Sequence, residues 1–393
     1  MDKMADVLGR AGAWCGQNKY LSAIKNAFQN FMPLTIAGAI GVLWCNVLVN
    51  DQTGLGLFFK PIMALDFLNP AFQAVNFCTI SCITVGITLG IAQEIGVWNM
   101  GAERAGYIPG LVGLAAWLSV TNTSHMVEGA KEAFTGIAGN ELGATGLFTG
   151  MIIGVLSVEL FCFFEKQDAL KIKMPEQVPP GVARAFEVLV PATITLIITA
   201  CIGSACYNLT GLYLNDVIKN GIQGPLGAVG ATIPGVMIIY LVIMLFWLVG
   251  IHGNNMLSAV KEALFTPLAL ENVEKFNKGE KPTNIINMYA LQMWGEFGGS
   301  GVTIGLVIAI MIFGKREDNK AIASLSLVPG LFNINETVTF GIPMVLNPIL
   351  GIPFVFACLV TILVGYVLTV IGFCPVACLT VPWTTPPIVF GFL

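Results

Sequence analysis

Residues 226–255 read LGAVGATIPGVMIIYLVIMLFWLVGIHGNN, and no Asp, Glu, Lys or Arg occurs from Asn220 to Val260. A helix crosses the bilayer core with about 20 mostly apolar residues, so 226–250 is long enough to span. The end of that span changes character, to one histidine, one glycine and two asparagines. Two readings fit His252-Gly253-Asn254-Asn255. A helix C-terminus favours a histidine for the dipole and a glycine in the left-handed cap. An isolated ionisable group at membrane depth is otherwise the mark of a functional site.

The rest of the chain has the same setting. Of 393 residues, 55% are hydrophobic and 11% charged, against roughly 25% charged in soluble domains. So few charges cannot cover the surface of a soluble chain this long. With a mean hydropathy of +0.80, this excludes a soluble enzyme, a nucleic-acid binder and a disordered regulator. The net charge of −4 names no partner. Cys45, Cys78, Cys82, Cys162, Cys201, Cys358, Cys374 and Cys378 sit in or beside apolar runs without CxxC spacing. They read as small core residues rather than disulfides or metal ligands. No metal site or cofactor is expected. His125, the other histidine, falls in a loop assigned to the opposite side from His252, and Gly314-Lys315 lacks the upstream glycine of a phosphate loop.

Further spans read at roughly 29–49, 72–93, 105–122, 144–164, 186–206, 300–313 and 354–373. Shorter or interrupted apolar stretches lie near 285–298, 320–334, 338–352 and 379–393. Residues 1–27, with Lys3, Arg10, Lys19 and Lys25, read as an interfacial amphipathic helix rather than a cleavable signal. Cytoplasmic loops hold the excess of Lys and Arg. The N-terminal segment carries four. Arg104 follows the second span, Lys166, Lys171, Lys173 and Arg184 the fourth, and Lys261, Lys275, Lys278 and Lys281 the sixth. The intervening loops carry Lys60, Lys131 and Lys219, so the N-terminus is expected in the cytoplasm. In the second half, glycines and prolines fall inside apolar stretches, from Gly295 through Pro329 and Pro353 to Pro387. Broken backbone at that depth is tolerated where it is buried in protein or lines a wet cavity, the construction of transporter binding sites.

From Ala321 to Leu393 the one charged residue is Glu336, in Phe332-Asn333-Ile334-Asn335-Glu336-Thr337. A carboxylate there is either interfacial or functional. Its neighbours Asn333 and Asn335 add donors and acceptors suited to a polyhydroxylated ligand. Glu296, in Trp294-Gly295-Glu296-Phe297-Gly298-Gly299-Ser300-Gly301, has the same two readings. Trp247, Trp294 and Trp383 suit either a membrane interface or the apolar face of a sugar ring.

Phe332-Asn333-Ile334-Asn335-Glu336, with Phe340-Gly341-Ile342-Pro343 and Leu346-Asn347-Pro348-Ile349-Leu350, resembles the signature of the membrane subunit (enzyme IIC) of the bacterial sugar phosphotransferase system. The likeness is to its lactose/cellobiose/diacetylchitobiose branch. Met32-Pro33-Leu34, Leu142 to Phe148, Lys173 to Pro180, Gly250 to Asn255, Gly298 to Gly301 and Val381 to Pro387 resemble further stretches of that family, in order.

The resemblance implies an all-α polytopic membrane protein of about nine to ten transmembrane helices, with two re-entrant hairpins in the C-terminal half. It implies an N-terminal domain (28–206) forming a homodimer, a linker (207–225), and a C-terminal sugar-binding domain (226–393) that moves as an elevator. The family continues past the PWTTPP hairpin into a final helix, so this domain is expected to lack its last helix. A β-linked disaccharide of cellobiose, diacetylchitobiose or lactose type would enter from outside. Its phosphoryl donor would be a phosphocysteine of a cytoplasmic IIB partner, with IIA upstream. That leaves open whether the chain itself counts as an enzyme. The expected setting is the inner membrane, among lipid. His252 and Glu336 are implied as the active-site pair, with Asn254, Asn255, Asn333 and Trp383 as sugar contacts. Phosphoryl transfer asks mainly for positioning and charge stabilisation, and a carboxylate beside the reacting hydroxyl accepts its hydrogen bond. The competing readings are a proton- or sodium-coupled sugar carrier with Glu336 as the coupling carboxylate, and a non-transporting sensor.

Overall fold

Helices form where the apolar stretches predict them, and they break where glycine, proline and asparagine gather. The computed structural model describes residues 2–51, 55–125, 134–175, 177–342, 344, 347–379 and 381–392. Lys131, Glu176, Pro343 and Leu346, which enter the readings above, lie outside the described residues. The principal helices are α1 (Asp2–Gln17), α2 (Lys19–Leu43), α3 (Ile83–Met100), α4 (Ile108–Val120), α5 (Ala144–Glu165) and α6 (Pro180–Thr210). They continue as α7 (Ile233–Leu248), α8 (Ser258–Asn277), α9 (Met288–Gly295), α10 (Thr303–Phe313), α11 (Glu317–Leu331) and α12 (Pro348–Val370). The all-α expectation needs one amendment, a two-residue antiparallel ladder pairing Ser124 with Thr135 and His125 with Phe134.

Among the described residues, five helices are long and apolar enough to cross a membrane, or up to seven if each of two bent pairs is one span. The bends are 41° between Lys60–Ser81 and Ile83–Met100, and 77° between Leu214–Gly230 and Ile233–Leu248. The 13 residues of α4 rise only roughly 20 Å, short of the bilayer core. The N-terminal amphipathic stretch, expected to run to residue 27, is instead cut at Asn18, and its last residues begin α2.

The chain divides into two units, one of Lys19–Thr35 with Phe77–Pro225, the other of Met1–Asn18, Ile36–Asn76 and Leu226–Leu393. In the first unit, Ile83, Ile87, Ile91 and Ile95 recur every four residues along α3 and are at most 1% exposed. Small residues let the backbones approach: a methyl group on Gly113 would collide with Ala92, and one on Gly150 with Thr88. The stretch 207–225, expected as a linker, is largely helical and packs inside this unit. Asn215 is buried and accepts a hydrogen bond from Thr149 at 2.6 Å, and Gln223 donates to the Ala144 carbonyl. The end of α5 would place Glu165 against the negative pole of its own helix. Arg104 (2.8 Å) and Arg184 (2.9 Å) answer it, and both also hold Glu187.

In the second unit, α12 turns Phe354, Cys358 and Ile362 inward and leaves Ile352, Phe356, Val360 and Val367 exposed, as a lipid-facing helix would. The Cys358 thiol donates to the Gly295 carbonyl at the broken end of α9. Asn287 caps α9 by accepting from the backbone N–H groups of Tyr289 and Ala290. Its amide, with that of Asn272, also holds the Ala377 carbonyl and so fixes the coil leading to the PWTTPP stretch.

Candidate functional site

Three breaks in this second unit supply the polar residues. The first follows α7, where Gly250 takes φ +81° and ends the helix. His252 then becomes the cap of the short turn Gly253–Met256, and its Nδ1 accepts the Asn255 backbone N–H at 3.3 Å. A neutral ring held this way carries its proton on Nε2. The indole of Trp247, itself buried, lies against the imidazole with ring centroids 4.3 Å apart. The C-terminal cap read for this string does not form as expected: the left-handed glycine is Gly250 rather than Gly253, and His252 starts a new turn as its N-cap.

The second break runs from Glu296 to Val302. Gly298, Gly299 and Gly301 all have positive φ, and Val302, a β-branched residue, is held at φ +56°. That conformation is an outlier for valine and stores local strain. A side chain on Gly301 would run into the Phe354 ring, and one on Gly299 into Asn335, so backbone passes close on both sides. The third break follows α11, where Asn333 sits at φ +63° and Glu336 opens the short helix Glu336–Gly341.

These breaks bring the two ionisable residues together. His252 Nε2 lies 3.4 Å from Glu336 Oε1, and both side chains are half-exposed (36% and 45%). A long, open contact of this kind leaves room on both groups for a ligand hydroxyl, unlike a closed ion pair. Among the described residues no group of three or more His, Cys, Asp or Glu is arranged to hold a metal.

The asparagines divide by role. Asn255 is exposed beside the pair, and its carbonyl accepts from the Ser258 hydroxyl. Asn254 is half-buried; its amide donates to Ser300 Oγ at 2.7 Å, and its oxygen faces Lys261 Nζ at 3.5 Å. Asn333 is committed to backbone: it accepts from the Gly298 N–H (2.8 Å) and donates to the carbonyls of Trp383 (2.6 Å) and Thr385 (2.9 Å). It ties the second and third breaks to the PWTTPP stretch, where the Trp383 ring is 43% exposed. Sequence reading took Asn333 as a sugar contact, whereas its amide donors are already spent on protein.

Two residues prove different from their reading. Lys261, counted among the loop charges that set orientation, lies inside α8, is 5% exposed, and pairs with Glu296 at 2.5 Å. Glu296 is thereby neither an interfacial charge nor an open ligand. Asn335, read beside Glu336 as a donor for a polyhydroxylated ligand, is instead 4% exposed and donates to the Ser300 carbonyl (3.0 Å) and to Thr339 Oγ1 (3.1 Å). Ser300 drew no reading of its own, and its signal was its place among the glycines of the quoted string.

Fold and site define a polytopic helical membrane protein whose polar residues gather where its helices break. The chain belongs to the phosphotransferase system EIIC family, whose model matches residues 25–358. It is 32% identical, over 100% of its own length and 87% of the relative's, to the oligo-beta-mannoside-specific EIIC component of Bacillus subtilis (strain 168). It is 29% identical to the cellobiose-specific EIIC component of Lactococcus lactis subsp. lactis (strain IL1403), over 99% of this chain and 91% of that one. The crystal structure of ChbC, the IIC component of the N,N'-diacetylchitobiose-specific phosphotransferase system, superposes with a TM-score of 0.88 at 29% identity, covering 97% of this chain and 88% of the other.

Proposed function

We propose that the chain is a sugar permease that binds a β-linked disaccharide of the cellobiose or diacetylchitobiose type and presents it to a phosphorylated IIB protein. The observation that carries this reading is the apposition of His252 and Glu336 across two helix breaks in a chain of this family. Glu336 accepts the hydrogen bond of the reacting hydroxyl and takes up its proton as the phosphorus–oxygen bond forms and the phosphorus–sulfur bond to the IIB cysteine breaks, leaving the thiolate on the partner. His252, whose Nε2 lies beside the Glu336 carboxylate, donates to a sugar oxygen or to the incoming phosphoryl group. Trp383 and Asn255 offer a ring face and an amide beside them. The phosphoryl group arrives on the partner, so neither residue carries it covalently.

The finer architecture belongs to the same proposal. About ten transmembrane helices with two re-entrant hairpins, a homodimer through the N-terminal domain, an elevator motion of the sugar domain and a cytoplasmic N-terminus fit a permease of this kind. The relatives named above are phosphotransferase components, which argues against an ion-coupled carrier. The test is phosphorylation of radiolabelled cellobiose, diacetylchitobiose and lactose in proteoliposomes supplied with phosphorylated IIB. At least one sugar is expected to be phosphorylated by the wild type. Accumulation of unmodified sugar driven by a proton or sodium gradient would overturn the reading.

A further inference from the structure

The same unit holds a second pair of opposite charges, Lys261 and Glu296. Glu296 follows the last residue of α9, where the helix carbonyls already carry partial negative charge. Lys261 answers both at once, 2.5 Å from the Glu296 carboxylate and with its ammonium over the Tyr240 ring at 5.7 Å. The two side chains are 5% and 18% exposed. A buried ion pair is often no more stable than well-packed apolar residues of the same volume, so stability alone does not account for it.

What the pair touches suggests its use. Lys261 Nζ also faces Asn254 Oδ1 at 3.5 Å, and a cation admits only the oxygen end of an amide. The nitrogen end of Asn254 is thereby turned to Ser300 Oγ at 2.7 Å. The Ser300 carbonyl in turn accepts from Asn335 at 3.0 Å. Asn254 lies two residues after His252, and Asn335 immediately precedes Glu336. A hydrogen-bonded path through Asn254, Ser300 and Asn335 therefore joins the backbone segments that carry the two members of the open pair, and Lys261, paired with Glu296, fixes the orientation of the Asn254 amide at one end of it.

We propose that Lys261 and Glu296 are positioning residues for phosphoryl transfer. By fixing the amide of Asn254 they hold, through Ser300 and Asn335, the imidazole of His252 and the carboxylate of Glu336 at the separation that receives the sugar hydroxyl. The inference rests on the reading that His252 and Glu336 hold the reacting sugar. Its signature is a loss in the chemical step rather than in binding, because the groups that face the sugar stay in place and only their alignment slackens.

The experiment uses the full chain in lipid vesicles with phosphorylated IIB and the disaccharide that the wild type phosphorylates fastest. It compares Lys261→Met, Lys261→Arg, the neutral double variant Lys261→Met/Glu296→Gln, and Glu336→Gln as the site control. Melting midpoints are followed in parallel. Lys261→Met is expected to lower kcat by about tenfold or more with KM changed less than about threefold, and Lys261→Arg to recover most of the rate. The neutral double variant removes the orphaned charge, so its melting midpoint is expected near the wild type while kcat stays low. A wild-type kcat in the neutral double variant beside an inactive Glu336→Gln would overturn the positioning role alone. A wild-type rate in Glu336→Gln would overturn the site reading itself. Equal losses in kcat and melting midpoint, both recovered in the double variant, would make the pair merely structural and end the proposal.

Discussion

The two units treat buried charge in opposite ways. In the unit containing α3 to α6, Glu165 is 3% exposed and closed by two arginines at 2.8 and 2.9 Å, which also share Glu187. In the unit containing α7 to α12, His252 and Glu336 stand 3.4 Å apart with a third or more of each side chain open. In the first cluster each charge has a partner within 2.9 Å, and the Glu165 carboxylate is closed off although the Arg104 side chain stays 47% exposed. The second is under-satisfied and reachable. Charge within a membrane protein is costly in either arrangement; the difference is whether the protein itself completes the hydrogen bonding or leaves that to a substrate.

That contrast can be broken in four places. The largest effect is expected at the open pair. His252→Ala should lower sugar phosphorylation by about 100-fold or more while the melting midpoint stays near the wild type, a split measured on the same vesicle preparation. In the closed cluster the split reverses. Glu165→Ala leaves the two arginines with only Glu187 and should cost about 1.5–3 kcal/mol of stability, seen by thermal unfolding in detergent, with phosphorylation per folded molecule unchanged. Asn333→Asp keeps size and tolerance of positive φ but replaces two donated bonds by repulsion from the Trp383 and Thr385 carbonyls. It should cost about 1–3 kcal/mol and weaken sugar binding with it, whereas a residue that only touched sugar would leave the melting midpoint alone. The smallest effect is expected at the exposed pair Arg316 and Asp318, where Asp318→Asn should change neither rate nor melting midpoint measurably.

Much of this was legible in the sequence, and the illegible part has a physical cause. The apolar run at 144–164 became the helix Ala144–Glu165 because a proline-free stretch of that length with Glu159 as its one charge leaves the backbone no other way to satisfy itself in lipid. His252 and Glu336 stood out because each is the sole residue among Asp, Glu, Lys, Arg and His over a long stretch. Lys261 did not, because a lysine on an amphipathic helix looks the same in sequence whether it meets water or Glu296. The partners of Asn333 were illegible for a related reason: a carboxamide serves a sugar and a backbone carbonyl equally well, and only the fold brings the Trp383 and Thr385 carbonyls to its amide. The stretch 207–225 was expected as a linker between the two halves of the chain, and Asn215 bonded to Thr149 in the interior is invisible at that level.

The contrast between open and closed charge is tested most directly by one rate. Phosphorylation of the preferred disaccharide by phosphorylated IIB is measured in proteoliposomes containing wild-type protein or Glu336→Gln, with Glu165→Gln as the matched change in the closed cluster. The expected result is a rate about 100-fold or more below wild type for Glu336→Gln, with Glu165→Gln retaining the wild-type rate per folded molecule. Equal rates for Glu336→Gln and wild type, in protein shown to be folded, would contradict the assignment of the open pair as the site.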